Sequence, residues 1–239
     1  MYKRQGRNFE YYSEDGVLSG AMAANAIMGS QEQGVYAFMK HFALNDQETN
    51  RCGMLCTWSN EQAIREIYLK PFEHCVKAAD CHAVMSSFNY VGNTYAGNCS
   101  ALLNDVLRGE WGFKGLESQD FIMNPNYAVL KEYALNGGTM TTFTGENTMA
   151  AVSEKFAYWT TENVGQDTEL MSAIKQAMTW QAYALANSNA LDGMASSTRL
   201  VSVRTWYDNA LVAVQVVFAA LTVLAAAMYV LNDRKSKKQ

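Results

Sequence analysis

The sequence predicts an α/β fold, in which part of a (β/α)8 barrel is followed by one transmembrane α-helix. Two observations lead to this prediction. Apolar segments of strand length alternate with helical segments between residues 18 and 187, which is the order of parallel βαβ units. An uncharged run of 21 residues then extends from Leu211 to Leu231. About four strands are recognisable, whereas a closed barrel of this type needs eight, so we expect a partial barrel.

Local sequence signals place the individual elements. The predicted strands are Val35 to Phe42, Ala83 to Ser87, Gly115 to Asp120 and Thr139 to Phe143. The predicted helices are Leu18 to Gln31, Ser59 or Asn60 to Ala79, Ser100 to Arg108, Tyr127 to Leu135, Thr148 to Thr161 and Thr168 to Asn187. Because strands and helices alternate, the strands are expected to pair in parallel.

In the first half of the chain, a buried-strand pattern and helix-capping residues indicate where the elements lie. Val35 to Met39 is a run of small and apolar residues, as expected of a buried strand. Asn60 can cap the next helix, and Glu61 complements the dipole in its first turn. Pro71 lacks a backbone N–H and is expected to kink or break that helix.

In the second half, periodicity and glycines set the boundaries. Apolar residues three and four apart predict the helix that ends at Arg108; they are Leu102, Leu103, Val106 and Leu107. Gly109 and Gly112 end this helix, and Gly115 opens an extended run. Thr139 to Phe143 is a strand of β-branched and apolar residues.

Ionisable residues follow two of the predicted strands. Lys40 and His41 fall at the C-terminal end of the first strand, and Asp120 at the end of the third. The loops after the strands of an α/β barrel gather around the active site. Taken singly, a solvated lysine and a core histidine remain open interpretations, although an unpaired buried charge is costly.

Composition excludes some classes of function. The net charge is -4 and no basic patch is visible, which argues against a nucleic-acid partner. Hydrophobic residues make up 49% and charged residues 18%, as expected of a globular domain with one apolar helix. No cofactor is predicted.

The five cysteines cannot all pair within the chain. Cys52 and Cys56 are not backed by a second Cys or His pair at zinc-like spacing, so no metal site is predicted. Buried free thiols are expected for the five cysteines, which are Cys52, Cys56, Cys75, Cys81 and Cys99. A disulfide between Cys52 and Cys56 is the alternative for an extracellular domain.

The run from Leu211 to Leu231 is expected to span a bilayer. As a helix it is about 31 Å long, which matches a hydrocarbon core of about 30 Å. Trp206, Tyr207 and Tyr229 lie near its ends, as interfacial aromatics do. Four basic residues after the run, against two shortly before it, place the C-terminus in the cytoplasm and the rest outside the cell. A buried core helix is the alternative.

Several stretches together carry a resemblance to an enzyme family. They are GRNFEYYSED from Gly6, KHFALNDQE from Lys40, NEQAIREIYLKPFE from Asn60, AVMSSFNYV from Ala83 and LLNDVLRGEWGFKG from Leu102. Their order and spacing resemble glycoside hydrolase family 3 over roughly Gly6 to Gly193. The resemblance implies a TIM-type catalytic barrel of the β-glucosidase type.

The resemblance also implies roles for particular residues. Asp120 matches the nucleophile of the family, which forms a covalent glycosyl-enzyme. Lys40, His41 and Arg7 match residues that bind sugar hydroxyls. Glu10 resembles a supporting carboxylate that fixes Lys40 or Arg7, with an ordinary surface glutamate as the alternative.

Two departures from the family's pattern lie close to these residues. Phe88 stands where the family usually has a tyrosine near the nucleophile, so it is predicted to line the substrate site without a hydroxyl. The run Glu117-Ser118-Gln119 directly precedes Asp120 and is more polar than expected of a buried barrel strand.

The acid/base residue is not identified in this chain. Family hydrolases generally supply it from a separate domain. The branch that acts on N-acetylglucosaminides instead carries a second His after the Lys-His pair, whereas this chain reads KHFALN from Lys40 to Asn45. Glu146 is a conceivable acid/base within the chain, although a loop or helix-terminal charge is the alternative.

The family places further βα units ahead of Gly6, so we expect the C-terminal part of a longer barrel whose upstream domain is needed for activity. Residues 1–5 are expected to be a non-native leader, with a short native basic leader as the alternative. The predicted division is a partial barrel over 6–193, a linker over 194–210, a transmembrane helix over 211–231 and a basic cytoplasmic tail over 232–239.

The predicted function is retaining hydrolysis of β-linked glucosides or related glycosides, with a carbohydrate substrate and a bilayer as partners. A membrane-anchored module that binds sugars or acts at the cell surface without catalysis is the alternative. Phe88 and the polar run before Asp120 favour that alternative.

Overall fold

The computed structural model describes residues 8–53, 55–121, 128–142, 159–192, 199, 201 and 203–236. The chain divides into two compact units, Met1–Asp192 and Gly193–Gln239. The first unit is a mixed α/β domain, and the second contains one long helix.

The first unit contains six short strands among its described residues. They are β1 (Met39–Phe42), β2 (Cys56–Thr57), β3 (Ala83–Ser86), β4 (Tyr90–Val91), β5 (Thr94–Tyr95) and β6 (Leu116–Gln119). The main sheet is parallel with the order β1-β3-β6. A second, small sheet has the order β2-β4-β5. The predicted parallel pairing is therefore confirmed for the main sheet.

Helices cover the sheet. They are α1 (Gly16–Glu32), α2 (Glu61–Ala63, continuing as a π-helical turn over Ile64–Tyr68), α3 (Lys70–Ala79), α4 (Ala101–Glu110, wound as a π-helix), α5 (Leu130–Leu135), α6 (Thr161–Gln166) and α7 (Thr168–Ala186). Short 3-10 turns lie at Asn8–Glu10, Ala96–Asn98 and Asn189–Leu191.

Helices α1 and α3 pack closely against each other. Asp15 caps α1 by accepting a hydrogen bond from the Leu18 N–H at 2.7 Å. A Cβ at Gly20 would lie 2.7 Å from the Cβ of His74, so only glycine permits this approach of the two helices. The core between the helices and the sheet includes Ile27, Val76, Val84, Leu103 and Leu107.

The first predicted strand is shorter than expected. It begins at Met39 rather than at Val35, because the side chain of Val35 is 61% exposed and residues 35–38 make no ladder pairs. The predicted break near Pro71 is confirmed: α2 gives way to a π-helical turn, and Pro71 occupies the first turn of α3, where a missing N–H costs little.

The fourth predicted strand is wrong as far as the described residues extend. Thr139 to Thr142 forms no strand, and only an isolated parallel bridge joins Ser118 to Met140. Phe143, the last residue of this predicted strand, lies outside the described residues, and so do residues 148–158 of the predicted helix Thr148 to Thr161. The helix predicted from Tyr127 to Leu135 begins at Leu130 in the structure, and Tyr127 lies outside the described residues. The helix predicted from Thr168 to Asn187 is confirmed as α7.

The second unit contains helix α8 (Trp206–Ser236). Its segment Trp206–Leu231 has a mean hydropathy of 2.4, and its most apolar window is not buried against other described residues. Length and composition alone therefore make it the one described helix that could cross a membrane.

Candidate active site

The parallel strands of the main sheet end at one edge, and polar residues collect there. The Ser87 N–H donates to the Phe42 carbonyl at 2.8 Å, and the Ser87 hydroxyl donates to the Ala43 carbonyl at 2.9 Å. Asp120 directly follows β6 at the same edge. The ends of all three strands are thus held together where a ligand of an α/β sheet would bind.

Asp120 is a buried carboxylate with fixed neighbours. Its residue is 5% exposed, and one carboxylate oxygen lies 3.3 Å from Nε2 of His41, which is equally buried. The other oxygen accepts the Phe121 N–H at 2.8 Å. Because each oxygen has a nitrogen neighbour, the carboxylate is held in one orientation.

Lys40 lies beside this pair and contacts Glu10. The Lys40 ammonium is 3.4 Å from a Glu10 carboxylate oxygen, and the Lys40 side chain is 42% exposed. A half-exposed ion pair is weak, so the ammonium can exchange Glu10 for a ligand. Arg7, the other predicted partner of Glu10, lies outside the described residues.

Phe88 is buried beneath a cation that the sequence analysis did not single out. The guanidinium carbon of Arg51 lies 4.6 Å from the centre of the Phe88 ring. Arg51 also donates to Glu48 at 2.9 Å. A single arginine in a polar loop carries no periodic signal, and Arg51 lies three residues beyond the family-like stretch that ends at Glu48.

A cavity of about 360 Å³ opens beside the free edge of β1. Its lining includes Glu10, Lys40, His41 and Asn45, together with apolar residues of α1 and α3. Asp120 is not part of this lining, so the cavity meets the carboxylate only through His41. The volume is sufficient for a small ligand such as a monosaccharide.

Glu117 lies in strand β6, three residues before Asp120. The residue is fully buried, and burial raises the pKa of its carboxyl to about 7. Neighbouring hydroxyls of Tyr133 and Ser86 and the guanidinium of Arg108 oppose this shift. Glu117 is therefore a buried carboxyl whose surroundings favour its neutral form.

Arg108 holds the region around Glu117 together. Its guanidinium stacks on the Trp180 ring at 3.4 Å and donates to the Gly137 carbonyl at 2.9 Å. Burial lowers the pKa of Arg108 to about 10, although the charge of Glu117 opposes this shift. Strand β6 keeps a regular register with β3 at all four positions, so its polar residues do not disturb the sheet.

The structure places four of the seven residues considered for the site in two ion-pair contacts. Lys40 pairs with Glu10 and His41 pairs with Asp120, and Phe88 lies in the loop after β3 beneath Arg51. Arg7 and Glu146 lie outside the described residues. No group of three metal-binding side chains occurs within the part of the chain that the structure describes.

Comparison with known proteins gives a consistent result. Residues 2–156 match the family model described as Glycosyl hydrolase family 3 N terminal domain. Over 116 residues the chain is 51% identical to β-glucosidase B of Emericella nidulans. The aligned stretch makes up 48% of this chain and 14% of that protein. The chain is 44% identical over 116 residues to an exo-α-(1→6)-L-arabinopyranosidase of Bifidobacterium longum, covering 48% and 15%.

Among solved structures, β-glucosidase 3B from Thermotoga neapolitana in complex with α-D-glucose superposes with a TM-score of 0.68. The identity is 34%, and the match covers 79% of this chain and 26% of that one. The matched part thus spans only a small share of each of these relatives.

Proposed function

The chain belongs to glycosyl hydrolase family 3, and on this premise we propose that it carries the nucleophile side of a site that hydrolyses β-linked glycosides with retention. The observation that supports this most is the buried Asp120 at the carboxyl end of β6, 3.3 Å from His41. In barrels of this class catalytic groups lie at that end of the strands. Because the chain spans a small share of its relatives, the activity of the whole protein is part of the proposal.

Asp120 would attack the anomeric carbon in the first step. A bond forms between a carboxylate oxygen and that carbon, while the glycosidic oxygen leaves with a proton from an acid. Water then breaks the ester and the same acid, now a base, takes its proton. The His41 ring and the Phe121 N–H would hold the carboxylate in place during both steps.

The sugar hydroxyls would be bound by cations around the carboxylate. Lys40 and His41 lie in β1, where His41 contacts Asp120, and the Arg51 guanidinium lies over Phe88. We assign Lys40 and His41 to the glycone, with Arg51 as an additional donor. Glu10 would position Lys40. The acid/base is proposed to come from a separate domain, as the resemblance implies.

Replacing Lys40 by Ala is predicted to weaken glycoside binding. A suitable enzyme is a hybrid in which residues 8–142 replace the superposing segment of the Thermotoga neapolitana β-glucosidase 3B. In that hybrid we expect kcat/KM for an aryl β-glucoside to fall roughly 10- to 100-fold, because a charged donor to a hydroxyl is lost. His41→Ala should have at least the same effect, since it also frees Asp120.

Lys70→Ala is the matched control for Lys40→Ala. Both lysines are 42% exposed and both pair with a glutamate, Lys70 with Glu73 at 3.1 Å. Lys70 lies on α3, away from the strand ends, and its removal should leave kcat/KM unchanged. Equal values for Lys40→Ala, His41→Ala and the parent hybrid would rule out the assigned roles.

The glycone class remains broader than glucose. One relative is named a β-glucosidase and another an arabinopyranosidase, and the two pyranoses share the hydroxyls nearest to the anomeric carbon. We propose that the substrate is a β-linked pyranoside and that, among pyranosides, a glucoside is cleaved best. A panel of aryl β-glucosides, β-xylosides and α-L-arabinopyranosides, tested on the hybrid, distinguishes them.

A non-catalytic sugar-binding module on the same barrel is the second candidate. It is favoured by Phe88, which lacks a hydroxyl, and by the buried, polar run Glu117-Ser118-Gln119 in the strand that leads to Asp120. Such a module would bind glucose without turning over any aryl glycoside in the hybrid.

We also propose that the chain is anchored in a membrane by residues 211–231, with a linker over 194–210 and a cytoplasmic tail over 232–239. The barrel part would then face the outside. The length and hydropathy of α8 support the anchor, and the excess of basic residues after it supports the orientation.

Changing both Leu221 and Leu224 to Asp is predicted to abolish membrane insertion. Each central aspartate costs about 3 kcal/mol of insertion free energy. The 239-residue chain should stay with the membrane pellet after an alkaline carbonate wash, whereas the double variant should be released. Leu221→Ala with Leu224→Ala is the control, and release of the unaltered chain would contradict the anchor.

A further inference from the structure

The register between β1 and β3 is irregular where β1 carries Lys40 and His41. The first and last residues of β1 pair with Val84 and Ser86 of β3, so β1 uses one residue more than β3 over the same span. An extra residue of this kind forms a β-bulge, which interrupts the ladder and redirects the side chains beside it. Regular pairing with β3 therefore does not set the direction of Lys40 and His41.

Buried hydrogen bonds hold the chain directly after this bulge. The Phe42 carbonyl accepts the Ser87 N–H at 2.8 Å. The Ala43 carbonyl accepts two side-chain donors, the Ser87 hydroxyl at 2.9 Å and the Asn89 amide at 3.2 Å. Ala43, Ser87 and Asn89 are at most 1% exposed, so removing a donor leaves a buried acceptor short of a partner. The loop after β3 thus fixes the position of the loop after β1.

The next residue, Leu44, shows how closely this loop is constrained. Its φ is 67°, in the left-handed region, and its side chain belongs to the core, with 4% of the residue exposed. This conformation is unfavourable for a residue that has a Cβ, and it persists where surrounding contacts enforce it. The bonds to the Ala43 carbonyl, directly before Leu44, are contacts of this kind.

We propose that Asn89, together with Ser87, is a positioning residue of the candidate site. By holding the Ala43 carbonyl, it fixes the end of the bulge and keeps Nε2 of His41 at 3.3 Å from the Asp120 carboxylate. His41 lies only two residues before Ala43, so a shift of that carbonyl moves the ring. Asn89 acts through the backbone rather than on the substrate. The effect on catalysis rests on the proposed function, whereas the effect on His41 does not.

The first test follows the imidazole signals of His41 by NMR in the 239-residue chain, held in detergent and carrying isotope-labelled histidine. The chain contains three histidines, and the signals absent from His41→Gln identify those of His41. Asp120→Asn removes the charge beside the ring and gives a reference spectrum. Asn89→Ala should move the His41 signals over most of the distance to that reference, because the ring is no longer held against Asp120.

Asn98→Ala is the matched control. Asn98 is 3% exposed and donates its amide to the Val129 carbonyl at 3.3 Å, but it lies in the 3-10 turn Ala96–Asn98 rather than beside β1. Both variants should lower the temperature of thermal unfolding, and Asn98→Ala should leave the His41 signals unchanged. An unmoved His41 in Asn89→Ala, with a similar loss of stability, would mean a purely structural role and overturn the proposal.

Ser87→Ala keeps the proposal testable if Asn89→Ala does not fold. It retains the N–H bond to Phe42 and loses only the hydroxyl bond to Ala43. The His41 signals should move in the same direction by a smaller amount. Signals identical to those of the unaltered chain would contradict the positioning role.

Turnover in the hybrid tests the consequence for catalysis. Asn89→Ala should lower kcat/KM for an aryl β-glucoside about tenfold, because a small displacement of a site residue slows the reaction. In the His41→Ala background the same substitution should cost less than about twofold, since the residue that it positions is absent. Equal losses in both backgrounds would overturn the role. An inactive parent hybrid contradicts the proposed function alone, and the His41 signals then decide the positioning.

Discussion

Asp120→Asn is expected to abolish glycoside turnover in the hybrid enzyme. The amide keeps the size of the carboxylate and can still accept the Phe121 N–H, but it cannot form the ester with the anomeric carbon. We expect kcat/KM for an aryl β-glucoside to fall about 10⁴-fold or more, the order of loss seen when other covalent catalysts lose their nucleophile. Steady-state turnover is measured for the parent hybrid and for Asp120→Asn. Thermal unfolding of both hybrids shows whether the variant is folded.

Asp105→Asn is the control for this substitution. Asp105 is an exposed aspartate on α4, and its amide variant should retain parent-like turnover. Glucose binding to the Asp120→Asn hybrid should persist, because Lys40 and Arg51 are unchanged. Turnover of Asp120→Asn within tenfold of the parent would show that another group performs the attack.

Glu117→Gln is expected to stabilise the first unit at mildly alkaline pH. The pKa of the native carboxyl is raised from 4.5 to about 7 by burial. A raised carboxyl pKa favours folding below about pH 4.5, and that contribution is lost as the pH rises through about 7. At about pH 8 the ionised, buried Glu117 should cost on the order of 3 kcal/mol of unfolding free energy, which glutamine removes.

Urea unfolding between about pH 4 and pH 8 measures this effect. The unaltered chain should lose stability across that range more steeply than Glu117→Gln, and the two should converge in acid. Glu14→Gln, at an exposed position, is the control. If Glu117→Gln is instead the less stable protein at alkaline pH, then Glu117 is ionised and stabilised by Arg108.

The sequence predicted the parts of the fold that depend on local signals. Helix α1, which is rich in Ala and Met, and helix α7 lie within two residues of the predicted bounds. The small sheet of β2, β4 and β5 was missed, because two-residue strands have no readable alternation and depend on distant pairing. Val35 was wrongly included in a strand, since apolar character does not show whether a residue has a partner.

The candidate site was predicted from its motif rather than from periodicity. Lys40 and His41 lie far from Asp120 in sequence, and their approach to it depends on the parallel order of β1, β3 and β6. Glu117 was expected to make the strand too polar, yet a regular ladder and the nearby Arg108 accommodate it. Arg51 could not have been ranked above other loop arginines without its contact with Phe88.

The most direct test of the account is to trap the glycosyl-enzyme. The hybrid is incubated with a 2-deoxy-2-fluoro-β-glucoside that bears a good leaving group, which slows hydrolysis of the ester more than its formation. Trypsin then releases the peptide 115–131, which contains both Glu117 and Asp120. Fragment ions assign the label. We predict one fluoroglucosyl group on Asp120; a label on Glu117 or elsewhere, or none in a hybrid that turns over aryl glucosides, would contradict the account.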